Sequence, residues 1–368
     1  MKRYALILML LFWVGTMSGC AFEEEDVPST RKSVPRTTAA VSEVDAPEDR
    51  ESAPRTSVVV VETDEPADRE IPTETFTAST ETAWKHLEAL ADEIGPRLAG
   101  SEEESLTAAY IESAFAAYGY DVTRQDFTFW TEDDEELESS NVIAVKPGES
   151  TEEIVVGAHY DSVDDGDGAD DNASGVAVLL AIAELLVDEE TPYTVRFIAF
   201  GAEETDMDGS HHYVETMSRT DRRNTVGMIN QDSLIAGDIL YVYGDAGSGT
   251  MRDWIIAAAA DEGLDLDART AAELDNPDGT PCDCADYGPF QEAGIPFAYF
   301  EATNWDLSPD AMVQVSRDFG KRGYIRHTKY DTVAYIDTTF PNRIDEHFEV
   351  CIALLYDVLT QWQSGAPH

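Results

Sequence analysis

Five short segments carry side chains whose types and spacing could do chemistry. His159-Tyr160-Asp161 follows the apolar run 154–158, and Asp170-Asp171-Asn172-Ala173-Ser174-Gly175 comes soon after it. Glu203-Glu204 follows the run 195–201, Asp232 follows 226–231, and His327-Thr328-Lys329-Tyr330-Asp331-Thr332 lies far downstream. One histidine and one carboxylate for each of two sites, with a further carboxylate shared, is a donor set for two zinc ions held close together. Zinc takes imidazole nitrogen and carboxylate oxygen, and a water between paired metals becomes a nucleophile. Asp161 is placed to hydrogen-bond the far ring nitrogen of His159 and fix its tautomer. The doublet Glu203-Glu204 offers one acid for a metal and one for proton transfer.

Each segment alone has an ordinary explanation. A His-x-Asp after a strand is commonly incidental, and Glu203-Glu204 could be a surface pair in so acidic a chain. The acid-rich stretch 161–171 could be a solvated loop; its spacing misses the EF-hand pattern for calcium. The weight lies in the set, because the segments stand in order, three of them directly after strand-like runs.

The elements that would position them read as an α/β pattern. Trp84, Leu87, Leu90, Ala91 and Ile94 have helical spacing, and Gly95-Pro96 ends that helix. Ser101 with Glu104 reads as a capping box for a helix through Tyr118. Strands are expected at 120–130, 141–146, 153–158, 193–201, 225–231, 238–243 and 296–300, with helices near 173–187, 250–262 and 341–363. Alternating strands and helices imply a mostly parallel sheet covered on both faces. In such sheets chemistry gathers in loops at the C-terminal ends of the strands.

The segments HYDSVDDGDGADDNASG, FGAEETDMDGS, INQDS and HTKYDT resemble the zinc aminopeptidases of the bacterial leucyl-aminopeptidase type. That family (clan MH) includes glutamate carboxypeptidases and glutaminyl cyclases. EIGPRLAGSEEE at 93–104 and GYDV at 119–122 resemble its opening. The resemblance covers about residues 80–365. It implies a three-layer α/β/α sandwich with a mixed, mostly parallel central sheet, the zinc-exopeptidase or phosphorylase-like fold, without an inserted protease-associated domain. It implies that His159 and Asp232 hold one zinc, Glu204 and His327 the other, and that Asp171 rather than Asp170 bridges. Glu203 would then be the general base, and a cis peptide would follow the bridging residue. The implied substrates are peptides with a free N-terminus. Three positions depart from the family pattern. Asp206 stands where the family commonly has glycine, and Ala285-Asp286-Tyr287 stands for its Ser-Asp-His, making Asp286 and Tyr287 the substrate-pocket candidates. Relatives often carry a disulfide near this loop, which makes Cys282 and Cys284 a candidate pair; Cys351, in an apolar helix, reads as a buried thiol. Two sister activities compete: a carboxypeptidase with a cationic clamp from Arg317, Lys321 or Arg322, and a one-zinc glutaminyl cyclase. A non-catalytic binding protein would be expected to have lost ligands, and none is missing.

Composition bounds the setting. The 368 residues include 74 Asp+Glu against 24 Lys+Arg, a net charge of −50. That excludes nucleic acid as a default partner, which needs a basic footprint. Adaptation to high salt is the expected meaning of the charge. Residues 1–19 read as a signal peptide: Lys2 and Arg3 precede the apolar run 4–14, which is too short to span a bilayer. Met17-Ser18-Gly19-Cys20 resembles a lipobox, so the domain is expected outside the cell, anchored to the membrane by lipid on Cys20, or otherwise secreted. Residues 20–79 read as a tether in which 33–51 and 52–70 are tandem copies sharing 11 of 19 residues. Residues 80–368 are expected to form the catalytic domain, as a monomer.

Overall fold

The runs Ile154–Ala158, Val195–Phe200 and Val226–Gln231 are rich in β-branched and aromatic residues and are buried, as strands covered on both faces should be. The computed structural model describes residues 73–131, 133–274, 284–307, 315–319, 323, 325–366 and 368. The expected signal segment, Cys20, the repeated tether, Cys282, Lys321 and Arg322 lie outside these residues.

The strands are β1 (Asp121–Trp130), β2 (Glu136–Lys146), β3 (Ser150–His159), β4 (Tyr193–Phe200), β5 (Thr225–Gln231), β6 (Ile239–Gly244), β7 (Asp267–Thr270) and β8 (Phe297–Thr303). They form one eight-stranded sheet in the order β1-β2-β4-β3-β5-β8-β6-β7. The central block β4-β3-β5-β8 is parallel, while β1 and β2 pair antiparallel with their neighbours, β6 pairs antiparallel with β8, and β7 runs parallel to β6. The sheet is therefore mixed, as expected, with its parallel part where the chemical segments leave it.

The helices are α1 (Thr73–Glu88), α2 (Glu102–Ala117), α3 (Ser174–Leu185), α4 (Asp208–Thr216), α5 (Arg219–Asn224), α6 (Met251–Glu262), α7 (Tyr287–Glu292), α8 (Val333–Thr339) and α9 (Arg343–Gln361). Strand residues alternate between two apolar layers. Ile154, Val156, Val195 and Phe197 join residues of α1, α2, α3, α6 and α9. Val155, Ile198, Phe200 and Met228 join Tyr213 and Val214 of α4 and Tyr287 and Phe290 of α7. Helix α3 is buried along Ser174–Ala183, the pattern of a helix surrounded by protein.

Two boundaries differ most from expectation. Helix α1 starts at Thr73, inside the stretch read as tether, because Phe76, Thr80, Ala83 and Leu87 continue one helical face; the Phe76 ring meets Tyr356 of α9 edge-on at 6.0 Å. Strand β2 begins at Glu136, before the expected 141, because its first half pairs with β1 across a hairpin and needs no apolar run of its own.

Candidate metal centre

His159 is the last residue of β3, Glu203 and Glu204 follow β4 after Gly201-Ala202, and Asp232 follows β5. These strands are adjacent and parallel, so their C-terminal ends bring the three segments together. Asp171 lies in the turn Ala169–Ala173 that leads into α3, where its backbone is not helical (φ −114°, ψ 93°), and the Asp171–Asn172 peptide is cis. His327 comes from the loop before α8 with φ +56°.

Two groups of donors form. His159, Glu203 and Asp232 offer atoms within 4.8 Å of one another, and so do Asp171, Glu204 and His327. The groups are joined by Asp171, whose Oδ1 is 3.1 Å from His159 Nε2 and whose Oδ2 is 3.1 Å from His327 Nε2. His159 Nε2 also lies 3.6 Å from Asp232 Oδ1, and His327 Nε2 lies 2.9 Å from Glu204 Oε2. Glu203 is more loosely placed, its Oε2 being 3.8 Å from His159 Nε2. The His327 side chain is 49% exposed and that of His159 only 2%, so solvent enters on the His327 side.

The donors fit zinc on three counts. Ligands about 2.0 Å from a tetrahedral ion stand about 3.3 Å apart, close to the nitrogen–oxygen separations seen. His159 Nε2 is buried without a hydrogen-bond partner, an orphan that a cation would satisfy. The local charge also lacks compensation. Burial pushes the Glu203 carboxyl well above its ordinary range, with Asp286, Asp232 and Glu204 adding to the effect against the pull of His159. Burial and Asp171 likewise push Glu204 up to about 7. Against burial, Glu203 and the facing carboxylates hold His159 well above its usual value.

Around these donors, backbone amides are held by further carboxylates. Asp161 Oδ1 and Oδ2 accept the N–H of Glu203 and Glu204, each at 3.0 Å. Its carboxylate stands 3.6 Å from His159 Nδ1, and the nearer partner of that nitrogen is the Asp161 backbone carbonyl at 3.2 Å. The carbonyl and the carboxylate thus both face the ring, and the carboxylate also orients the glutamate pair. Asp170 Oδ1 accepts the N–H of Ile235 and Ala236 and so points away from a bridging position. Asp331, quoted in the HTKYDT segment without a role, accepts the N–H of Asp170 at 2.6 Å and of Asp171 at 3.2 Å. Arg97 is fully buried and donates to the carbonyls of Leu90, Gly95, Tyr160, Asp167 and Gly168, tying the His159–Asp171 loop down at both ends. Arg326 reaches Ser233 Oγ at 3.3 Å and Glu301 at 3.6 Å, and Ser233 donates to Asp232 Oδ1 at 3.0 Å. A lone Arg or Asp in a motif gives no sequence signal for such contacts, since each partner is remote in the chain.

The candidate pocket residues separate. Asp286 is buried, and burial pushes it up to about 7 against the pull of His159 and a contact with Ser210. Tyr287 is 1% exposed, its ring stacked on Phe297 at 4.3 Å and its hydroxyl 3.3 Å from Cys284 Sγ. That places its ring in the apolar layer under α7. Cys284 is disulfide-bonded and Cys351 is a buried free thiol. Arg317, the one clamp candidate among the described residues, is exposed.

Paired histidine–carboxylate clusters at the strand ends of a mixed α/β sheet define a hydrolase-type architecture with donors for metal. Residues 141–353 match Peptidase family M28, and the chain belongs to that family. It is 32% identical over 279 residues to the alkaline phosphatase isozyme conversion protein of Escherichia coli (strain K12), covering 68% of this chain and 81% of that one. It is 32% identical over 196 residues to aminopeptidase YwaD of Bacillus subtilis (strain 168), 49% of this chain and 41% of that one. Its fold is that of BSAP, a zinc aminopeptidase from Bacillus subtilis, with a TM-score of 0.63 over 80% of this chain and 98% of that one, at 20% identity. The expectation of a peptidase on a mixed α/β fold is met.

Proposed function

We propose that the chain is an extracellular zinc aminopeptidase that removes N-terminal residues from peptides, with Glu203 as the general acid–base. The observation that carries this reading is the division of the Asp171 carboxylate between His159 and His327 at 3.1 Å each, which makes one residue common to two donor groups. His159 and Asp232 would hold one zinc, Glu204 and His327 the other, and Asp171 both. Bound there, zinc supplies Lewis acidity toward the scissile carbonyl and the attacking water. Glu203, the loosest of the carboxylates and still at the cluster, takes a proton from the attacking water as oxygen adds to the carbonyl carbon. It returns that proton to the nitrogen as the C–N bond breaks. Asp161 keeps Glu203 and Glu204 in register through their backbone amides. The Asp286 carboxyl, buried beside the donors, is the acceptor for the substrate's α-ammonium, whose arrival favours its charged form. The chain reaches its site of action by export, with lipid on Cys20 as the anchor and residues 20–72 as the spacer before α1.

The test is hydrolysis of aminoacyl anilides against N-blocked peptides by the mature chain. Activity should require the free amine, vanish with chelator and return with zinc, at two zinc ions per chain. Glu203→Gln should retain the metal and lose turnover. Cleavage confined to N-blocked peptides would transfer the assignment to a carboxypeptidase, and cyclisation of N-terminal glutamine with one zinc would transfer it to a glutaminyl cyclase. Release of a Cys20→Ala protein from membranes tests the anchor.

A further inference from the structure

Glu104 was expected to close a capping box on α2, with its side chain returning to the N–H of Ser101. It does not: Ser101 Oγ accepts the Glu104 N–H at 3.0 Å, but the Ser101 N–H is taken by the Leu98 carbonyl at 2.9 Å. The Glu104 side chain runs instead toward the strand ends. Its Oε2 accepts the N–H of Gly100 at 2.6 Å, and its Oε1 accepts Ser139 Oγ at 2.5 Å and the N–H of Ala202 at 3.2 Å. Ala202 has φ +53°, a left-handed conformation that a residue with a Cβ adopts only where its surroundings hold it. It is also the residue just before the glutamate doublet. Three successive amides, those of Ala202, Glu203 and Glu204, are thus received by two carboxylates, Glu104 for the first and Asp161 for the others. Close packing enforces the approach. A Cβ on Gly201 would come within 2.3 Å of Ser139 Oγ and 2.9 Å of the Tyr160 hydroxyl, so only glycine lets the turn lie against this group.

We propose that Glu104 is a positioning residue for the catalytic turn: by accepting the Ala202 N–H it sets the direction in which Glu203 and Glu204 leave β4. The inference rests on the roles proposed above for those two glutamates, and it assigns α2 a function beyond covering the sheet. The chemistry required is that of an acceptor with two ends. Each oxygen faces an obligatory backbone donor, Gly100 on one side and Ala202 on the other. A glutamine of the same shape must turn its NH2 toward one of them, leaving that N–H without an acceptor.

The experiment compares Glu104→Gln and Glu104→Ala with Ser101→Ala in the full mature chain. Ser101→Ala weakens the same helix end without touching Ala202. The alanine variant guards against a misfolded glutamine variant, because Glu104 lines a cavity of about 400 Å³ with Ser101, Arg124, Ser139 and Tyr160 through which water can reach the freed amides. Both Glu104 variants should show faster hydrogen exchange at the amides of residues 202–204. They should lose about tenfold or more in kcat with KM changed little, as displaced catalytic groups do. Ser101→Ala, at a comparable loss of thermal stability, should change neither. Glu104 variants that match Ser101→Ala in exchange and kcat would overturn the proposal. If the wild-type chain neither binds zinc nor cleaves aminoacyl anilides, the aminopeptidase reading fails, and the exchange comparison alone decides whether Glu104 holds the turn.

Discussion

The carboxylate of Asp331 accepts the backbone N–H of Asp171 at 3.2 Å, across 160 positions of chain. Its other oxygen takes the N–H of Asp170 at 2.6 Å, and its own carbonyl accepts the N–H of Asp167 at 2.8 Å. Asp331 follows His327 by four residues, so one side chain fixes the loop that presents Asp171 to the loop that presents His327. Both of its acceptors face donors that cannot be reversed. Asp331→Asn should therefore weaken zinc binding by about 10–100-fold, the usual cost of losing a group that orients a metal ligand. Competition against a zinc-chelating dye measures it, and an unchanged affinity would show that the two loops hold their geometry without this contact.

Asp206 has φ +79°, in the left-handed region that favours glycine. The side chain is exposed, so the backbone sets the cost of substitution. Aspartate tolerates this conformation better than other residues with a Cβ, whereas alanine should lose about 1 kcal/mol. Asp206→Gly should be near neutral, because relief in the folded turn is offset by about 0.4–1 kcal/mol of added freedom in the unfolded chain. Urea unfolding of the two variants gives the comparison. A glycine variant less stable than the alanine variant would mean that the left-handed backbone does not set the cost at this position.

How far the sequence could be read depends on the range of each interaction. The runs 154–158 and 195–200 announce themselves because a strand buried on both faces needs consecutive apolar residues, and the polar residues that end them, His159 and Glu203, are those the fold gathers. Helix α2 was legible from Ser101, since an N-cap is a local contact. The Glu104 side chain was not, because its partners Ser139 and Ala202 are 35 and 98 positions away and compete successfully with the local cap. Asp161 was read as a partner for the nearby ring of His159, which its carboxylate does face at 3.6 Å; that the same carboxylate also receives the amides of Glu203 and Glu204 was not legible, because they arrive from the neighbouring strand. Tyr287 illustrates the same limit. Its loop position suggested a pocket residue, but packing on Phe297 and Tyr299 draws the ring into the core. The start of α1 was hidden because its first turn shares the Thr and Glu composition of the tether.

Two buried histidines away from the metal centre predict an acid limb in stability. His86 sits between the hydroxyls of Tyr110 and Tyr118 at 2.7 and 2.8 Å, and burial, with Lys85 adding, lowers its pKa to about 4. His347 contacts the Leu234 carbonyl at 2.6 Å, and burial lowers it to about 4 as well. Both folded values lie below the unfolded 6.5, so the unfolded chain binds more protons between them and stability falls as pH falls. The contribution is complete above about pH 6.5 and is lost as pH drops through 4, at about 3 kcal/mol per histidine, of which about 2 is gone by pH 5. The stability gap between wild type and His86→Gln should narrow by about 2 kcal/mol from pH 7.5 to pH 5. Taking the difference cancels the titration of the carboxylates around the metal centre, and a constant gap would mean that His86 is not kept neutral by its burial.

The acidic surface makes the last prediction. Of 74 Asp and Glu residues, few meet a cation at close range: among the described residues the pairs of Arg196 with Glu153, Arg343 with Asp238, Arg252 with Asp253 and Arg326 with Glu301 are partly buried, and those of Arg269 with Glu273 and Arg124 with Glu112 are more exposed. The remaining carboxylates repel one another over distances that only salt shortens. The screening length falls from about 10 Å at 0.1 M to about 3 Å at 1 M. Self-repulsion is present in the compact state and relieved in the expanded one, so added salt should stabilise the fold, steeply at first and then little beyond about 1 M. The unfolding midpoint in sodium chloride, set against choline chloride at equal ionic strength, separates screening from specific cation binding. A rise common to both salts is expected, with activity following it. A rise in sodium alone would point to bound cations, and a flat or falling profile would sink the idea that the −50 charge suits a saline exterior.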